Sequence, residues 1–289
     1  MRSIAEALQG MLPAFPVVGS EEVSLTASAG RTLAEEITAQ IDSPPFSNSA
    51  MDGYAVRASE VVTAATDSPV CFPVHGESRA GGDSPEPLAP GTACRIFTGA
   101  PMPPGADAVV IQEDTERDGD DVVIKEASVR GRHVRAQGSD VTRGSTLLRV
   151  GDRLDVGAIG LLASQNIAQV RVFRQPRVAL LSTGDELRPL GEALGPGQIV
   201  NSNLYVLTEM VRALGAIPEP LPSASDDVPS IEAALLKALD ADVVITMGGV
   251  SVGEYDFVHE AFQQIGIAPD FWKVRIKPGK PLTFALHDG

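Results

Sequence analysis

A chain of 289 residues, 43% of them hydrophobic, can bury a sizeable core and is long enough for two or three domains. A formal net charge of -15 and an aromatic content of 4% exclude a general nucleic-acid binder, which needs cations for phosphates and rings for bases. The N-terminus lacks a signal-peptide pattern and no 18-residue apolar run exists, so the expected setting is the cytoplasm, with no membrane segment.

Ile4, Leu8 and Leu12 recur at helical spacing behind Ser3, a natural N-cap, and predict a short helix in residues 1–21 that packs on an α/β domain. Residues 22–44 combine a strand, EVSLTA, with a helical RTLAEEI. Together with 145–175, which hold a helical IGLLAS and a strand AQVRVFR, they are expected to form a linking domain. The break at Ser43-Pro44-Pro45 opens a change of rhythm. Over 46–144 the runs GYAVRA, PVCFPVHG, TACRIFTG, DAVVIQED and DVVIKEA alternate between Gly, Pro and Asp turns, predicting an antiparallel β-rich domain. The two cysteines, Cys71 and Cys94, lie here; they make no disulfide framework or zinc pair and are expected to be small buried side chains.

From 176 to 289 strands alternate with helices. RVALLSTGDEL, ADVVITMGGVS, FWKVRI and PLTFALH read as strands; NSNLYVLTEMVRALGA, stopped by Gly215, SIEAALLKALDA and DFVHEAFQQIG read as helices. The fold class is therefore α/β plus β: a mostly β domain inserted before a parallel-sheet α/β domain covered on both faces. Ligands of such sheets bind at the carboxyl ends of the strands, which places the loops STGDE and MGGVSVGEYD on one rim.

That rim carries candidate chemistry. Gly248, Gly249 and Gly253 allow backbone N–H groups to approach an anion, although a glycine pair alone also suits a plain tight turn. Glu254 and Asp256 in the same loop fit a phosphate neutralised by Mg²⁺. Ser182, Thr183, Gly184, Asp185 and Glu186 offer two hydroxyls and two carboxylates, with capping by Asp185 as the alternative reading. Lys273, Arg275 and Lys277 occupy alternate positions, share one face if FWKVRIK is a strand, and with Lys280 after Pro278-Gly279 suggest an anion site in an acidic protein.

The motifs PPFSNSAMDGYAVR, RIFTGAPMPPGADAVVIQED, LLSTGDEL, PGQIVNSN, ITMGGVSVGEYDFV and FWKVRIKPGKPL, in this order, resemble the molybdopterin molybdenumtransferase family, which includes MoeA and the E domain of gephyrin. The resemblance implies a MogA-like α/β domain and an elongated homodimer whose cleft joins the α/β domain of one subunit to the β domain of the other. It implies molybdenum insertion from molybdate into adenylylated molybdopterin with release of AMP, aided by Mg²⁺, and the molybdopterin adenylyltransferase as a further partner. Carried onto matching positions, the catalytic residues are Asp52, Thr98, Asp140, Glu186, Asp227, Asp256, Lys273 and Lys277. Substrate contacts fall to Ser182, Thr183, Gly184, Gly248, Gly249, Ser251, Gly253, Lys277 and Lys280, and the metal to Glu186 and Asp256. Ser47 and Met247 depart from the family pattern. The family continues beyond the point matching Gly289 with a glycine–proline motif and a small β-barrel domain, so the resemblance implies a shortened chain. The rival readings are an adenylyltransferase of the MogA type, which residues 1–175 disfavour, and a gephyrin-like scaffold, which would not need the acids.

Overall fold

The structure is a computed structural model that describes residues 2–248, 257–277 and 281–287. It divides into two compact units, one built from residues 1–23, 30–34 and 171–289, the other from 24–29 and 35–170.

Helix α1 (Ile4–Met11) begins as its sequence requires. Ser3 Oγ accepts from the Glu6 N–H at 3.2 Å and Glu6 Oε2 accepts from the Ser3 N–H at 2.6 Å, a complete capping box. Its contact is made by a small residue and not by the periodic apolar ones. Ala7 packs with Phe271 and Val274, whereas Ile4, Leu8 and Leu12 are exposed.

The unit of residues 35–170 is centred on six strands: β1 (Gly53–Val56), β2 (Val70–Ser78), β3 (Ala93–Ile96), β4 (Ala108–Ile111), β5 (Thr115–Asp118) and β6 (Asp121–Ile124). Their order across the sheet is β4-β1-β3-β2-β6-β5. Every residue of β1 is buried because it is central: Tyr54 and Val56 join Val61, Phe72 and Ile124 on one face, Ala55 joins Cys94, Ile96 and Val109 on the other. The prediction of a wholly antiparallel domain fails at one pair, since β2 and β3 run parallel. Parallel neighbours cannot be joined by a hairpin, and residues 79–92, rich in Gly and Pro, carry the chain back. Alternation on β2 also corrects the reading of the cysteines: Phe72 points into the core, so Cys71 beside it is exposed, while Cys94 is buried. Helix α2 (Val156–Ser164), capped by Asp155, covers the predicted IGLLAS.

The expected helix RTLAEEI does not form. In the first unit Leu33 is fully buried and bridges Val172, with Ala34 N bonded to Arg171 O at 2.9 Å and Phe173 N to Thr32 O at 2.8 Å. In the second, Ile37–Thr38 pairs with Thr146–Leu148. Helix propensity is worth tenths of a kcal/mol per residue and yields to buried ladder contacts.

The remainder of the first unit follows the α/β expectation: β7 (Arg177–Ser182), α3 (Ser202–Ala213), β8 (Ile217–Pro220), α4 (Val228–Ala238), β9 (Val243–Met247) and α5 (Phe257–Gln264). The sheet is parallel, in the order β8-β7-β9. Val178 and Leu180 pack on α3 through Val211, Leu204 and Leu207, while Leu181 packs on α4 and α5 through Ile231, Leu235 and Val258, so both faces are covered. The last strands, β10 (Pro269–Lys273) and β11 (Pro281–Ala285), pair antiparallel with each other and lie outside that sheet. β10 ends at Lys273. Val274 then bridges Arg2, whose carbonyl accepts from Arg275 N at 2.8 Å, and this pairing interrupts the predicted strand.

Candidate functional site

At the carboxyl edge of the parallel sheet, three strand ends are stitched together. Ser182 stands opposite Met247 in register. Thr183 N donates to Met247 O at 2.9 Å, and Gly184 N donates to Ala224 O at 3.1 Å. Gly248 adopts φ +92°, and a Cβ there would lie 2.6 Å from Thr183 O, so only glycine lets the two loops meet this closely. Against this contact lie two hydroxyls, Ser182 Oγ and Thr183 Oγ1, both buried and both without a hydrogen-bond partner among the described residues. Leaving a buried polar group unpaired costs about 1–3 kcal/mol.

Carboxylates flank the pair. The Glu186 side chain folds back over Gly184 and forms no ion pair among the described residues. Asp185 Oδ1 accepts from Asp226 N at 3.4 Å, a contact between two loops. Asp227 has a structural role, since its Oδ1 accepts from Ser230 N at 2.8 Å and caps α4. Thus Ser182, Thr183, Gly184, Glu186 and Gly248 share one edge, and Asp227 stands at the start of the helix nearby in sequence. Gly249, Ser251, Gly253, Asp256 and Lys280 lie outside the described residues.

The cationic run is not one strand face. Lys273 ends β10, Arg275 pairs with Glu6 at 3.7 Å, and Lys277 is exposed beyond the strand. Because the strand stops at Lys273, alternation no longer relates these three side chains.

In the β-rich unit the structure brings Asp52 and Thr98 into direct contact. Asp52 Oδ1 accepts from both Thr98 N and Thr98 Oγ1, each at 2.7 Å. These bonds, the amide first and the hydroxyl second, hold the Asp52 carboxyl below its ordinary range, and the Arg95 guanidinium adds to the effect. Next to Asp52, Gly53 is forced by packing: a Cβ would sit 2.0 Å from Val110 O of the neighbouring strand. Asp140 belongs to the same side of this unit. It accepts from Arg135 Nη2 at 2.6 Å, Arg135 is in register with Asn48, and Gly99 N bonds Ser49 O at 2.8 Å.

Sequence reasoning passed over Arg95 and Gln112. Arg95 Nη1 donates to Gly53 O at 3.1 Å and Nη2 donates to Gln112 Oε1 at 2.9 Å, while Gln112 N donates to Asp52 O at 3.0 Å. The available signal was position: Arg95 lies three residues before Thr98 in RIFTGAP, on a strand that must neighbour the MDGY strand.

Comparison with known proteins covers nearly the whole chain. A family profile described as the MoeA N-terminal region (domain I and II) matches residues 2–166, and one described as a probable molybdopterin binding domain matches 179–288. The molybdopterin molybdenumtransferase of Nostoc sp. is 42% identical over 267 residues, covering 92% of this chain and 61% of the relative. Molybdopterin molybdenumtransferase 2 of Mycobacterium tuberculosis is 39% identical over 287 residues, covering 97% of this chain and 71% of the relative.

The chain belongs to the molybdopterin molybdenumtransferase family.

The crystal structure of the molybdopterin biosynthesis MoeA protein from Pyrococcus horikoshii OT3 superposes with a TM-score of 0.87 at 30% identity, covering 98% of this chain and 72% of that one. The molybdenumtransferase fold is thus present in the α/β plus β arrangement expected from the sequence. No helix among the described residues is long and apolar enough to cross a membrane.

Proposed function

We propose that this molybdenumtransferase inserts molybdenum from molybdate into adenylylated molybdopterin with release of AMP, in the assembly of the molybdenum cofactor. The observation that carries the reading is the pair of buried hydroxyls of Ser182 and Thr183, unpartnered among the described residues, beside Gly248 at the strand ends where an open α/β sheet receives its ligand. A pterin phosphate offers the oxygens and ring nitrogens that such hydroxyls satisfy.

Breaking the linkage to AMP requires charge stabilisation on phosphate, for which Lys273, Lys277 and Lys280 are the proposed sources. The donors Glu186 and Asp256, hard oxygen ligands, are proposed to hold Mg²⁺. Mg²⁺ keeps several waters and is commonly bound by one or two carboxylates plus substrate phosphate, so two carboxylates are enough on the protein side. When bound, that ion would neutralise phosphate charge. Asp52, Thr98 and Asp140 are proposed to face the molybdate-binding side of the substrate, supplied by a second copy of the chain in a homodimer. Asp227 is retained as a proposed participant beside its capping role.

The decisive measurement is molybdate-dependent AMP release from adenylylated molybdopterin in single turnover. Ser182→Ala with Thr183→Val should weaken substrate binding by about 10-fold or more, on the basis of about 1.4 kcal/mol per factor of ten. Mixed dimers of Asp52→Asn and Glu186→Gln subunits should regain part of the activity that each lacks. Undiminished binding by the double variant would move the pterin site away from this edge.

A further inference from the structure

Arg95 is a charged side chain of the β-rich unit to which the proposed reaction gives no role. It lies on β3 opposite Tyr54 of β1. Its guanidinium is fixed on four sides: Nη1 on Gly53 O at 3.1 Å, Nη2 on Gln112 Oε1 at 2.9 Å, and Cζ 4.7 Å from the Phe97 ring centroid and 5.2 Å from that of Tyr54. Of the groups it holds, three are tied to the Asp52–Thr98 pair. Gly53 follows Asp52, Gln112 N bonds Asp52 O at 3.0 Å, and Phe97 precedes Thr98. The two carbonyls around Asp52 are therefore gripped from one guanidinium, directly and through Gln112, while Thr98 grips the carboxylate.

A planar, always charged fork between two rings can do this; an ammonium at the same place can keep the charge but cannot make both bonds and the stacking. Asp52 Oδ2 forms no hydrogen bond among the described residues, so the clamp leaves one carboxylate oxygen aimed by the others.

We infer that Arg95 is the positioning residue of this site, fixing the carbonyls of Asp52 and Gly53 so that one carboxylate oxygen stays presented to substrate. It acts through Asp52. The inference rests on the reading that Asp52 serves the reaction, and its first test needs no substrate.

The Asp52 carboxyl is followed by carbon NMR through an acid titration of the chain, with exchange of the Thr98 amide read alongside. Thr98 bonding holds the wild-type midpoint below the ordinary carboxylate range. In Arg95→Lys the charge remains but the clamp is lost. The midpoint should move up toward the ordinary value and the Thr98 amide should exchange faster. In AMP release, kcat should fall about 10- to 100-fold, the scale of a misplaced catalytic group, with KM changed by less than about 3-fold. An unmoved midpoint and an unmoved Thr98 amide in folded Arg95→Lys would overturn the inference and leave Arg95 a strut between strands. If Arg95→Lys does not fold, Gln112→Ala removes one arm of the clamp at an exposed position. A smaller upward movement there supports the clamp and no movement overturns it. Full AMP release by Asp52→Asn would instead remove Asp52 from the reaction, an outcome separate from either titration result.

Discussion

At the scale of single residues, close approach decides more than side-chain chemistry does. Gly53 lies between Asp52 and the rest of the buried strand β1, and a methyl group there would meet Val110 O at 2.0 Å, a backbone atom that cannot swing away. Gly53→Ala should therefore destabilise the chain by about 2–3 kcal/mol, the cost of overpacking, and lower the urea midpoint without changing the slope. A loss below about half a kcal/mol would show that β1 and β4 separate more easily than their burial suggests. The two thiols differ as sharply. Cys71 is exposed, whereas burial pushes the Cys94 thiol up to about 11 and keeps it protonated. An aromatic disulfide reagent at about pH 8, near the ordinary thiol value, should titrate one thiol in the native chain and two after unfolding. Rapid reaction of both would contradict the packing of Cys94.

At the scale of elements, the cap of α4 separates structure from chemistry. Asp227 accepts from Ser230 N at 2.8 Å, so Asp227→Ala should cost about 1 kcal/mol of stability through the lost cap alone. Asp227→Ser keeps a capping oxygen and should recover most of it, as read by thermal unfolding. If AMP release stays low in the Ser variant while stability returns, Asp227 has a second role beside capping. Much of this level was legible in the sequence. Ser3 announces α1, Gly215 ends α3 with φ +84°, and the runs RVALLS and VVITM form parallel strands as read, the first mostly buried and the second half-buried. The failures share one physical origin, namely partners distant in sequence. RTLAEEI has helical composition, but Leu33 finds Val172, and FWKVRIK alternates as a strand until Arg2 captures Val274. The parallel pairing of β2 with β3 was illegible for the same reason, because period-2 alternation does not report strand direction. At the site, STGDE could be found from its place after a β-strand and the MDGY loop through the family resemblance, whereas Arg95 had to be seen clasping the Gly53 carbonyl.

At the scale of the whole molecule, pH and chain order set the behaviour. Asp242 accepts from Arg174 Nη1 at 2.6 Å and from Arg177 N at 2.7 Å, and the Arg174 guanidinium foremost holds its carboxyl down to about 2 against an ordinary 3.8. A depressed carboxyl stabilises the folded chain above the unfolded value and loses that contribution as pH falls. The stability gap between wild type and Asp242→Asn should thus be full above pH 3.8 and shrink toward about pH 2, measured by urea unfolding across that window. A gap independent of pH would assign the loss to shape and not to charge. The order of the chain has a consequence for synthesis. The unit that contains α1 is closed by its last strands: Arg2 N bonds Lys273 O at 3.2 Å, and Ala7 is buried against Phe271 and Val274. The intervening β-rich unit leaves the ribosome complete while α1, made before it, still waits for a partner roughly 270 residues behind it. Such a loop closes slowly, and domains emerging earlier fold first. On a stalled nascent chain ending near residue 200, Cys94 should already be protected while α1 remains open to protease, and only emergence of β10 and β11 should shield it.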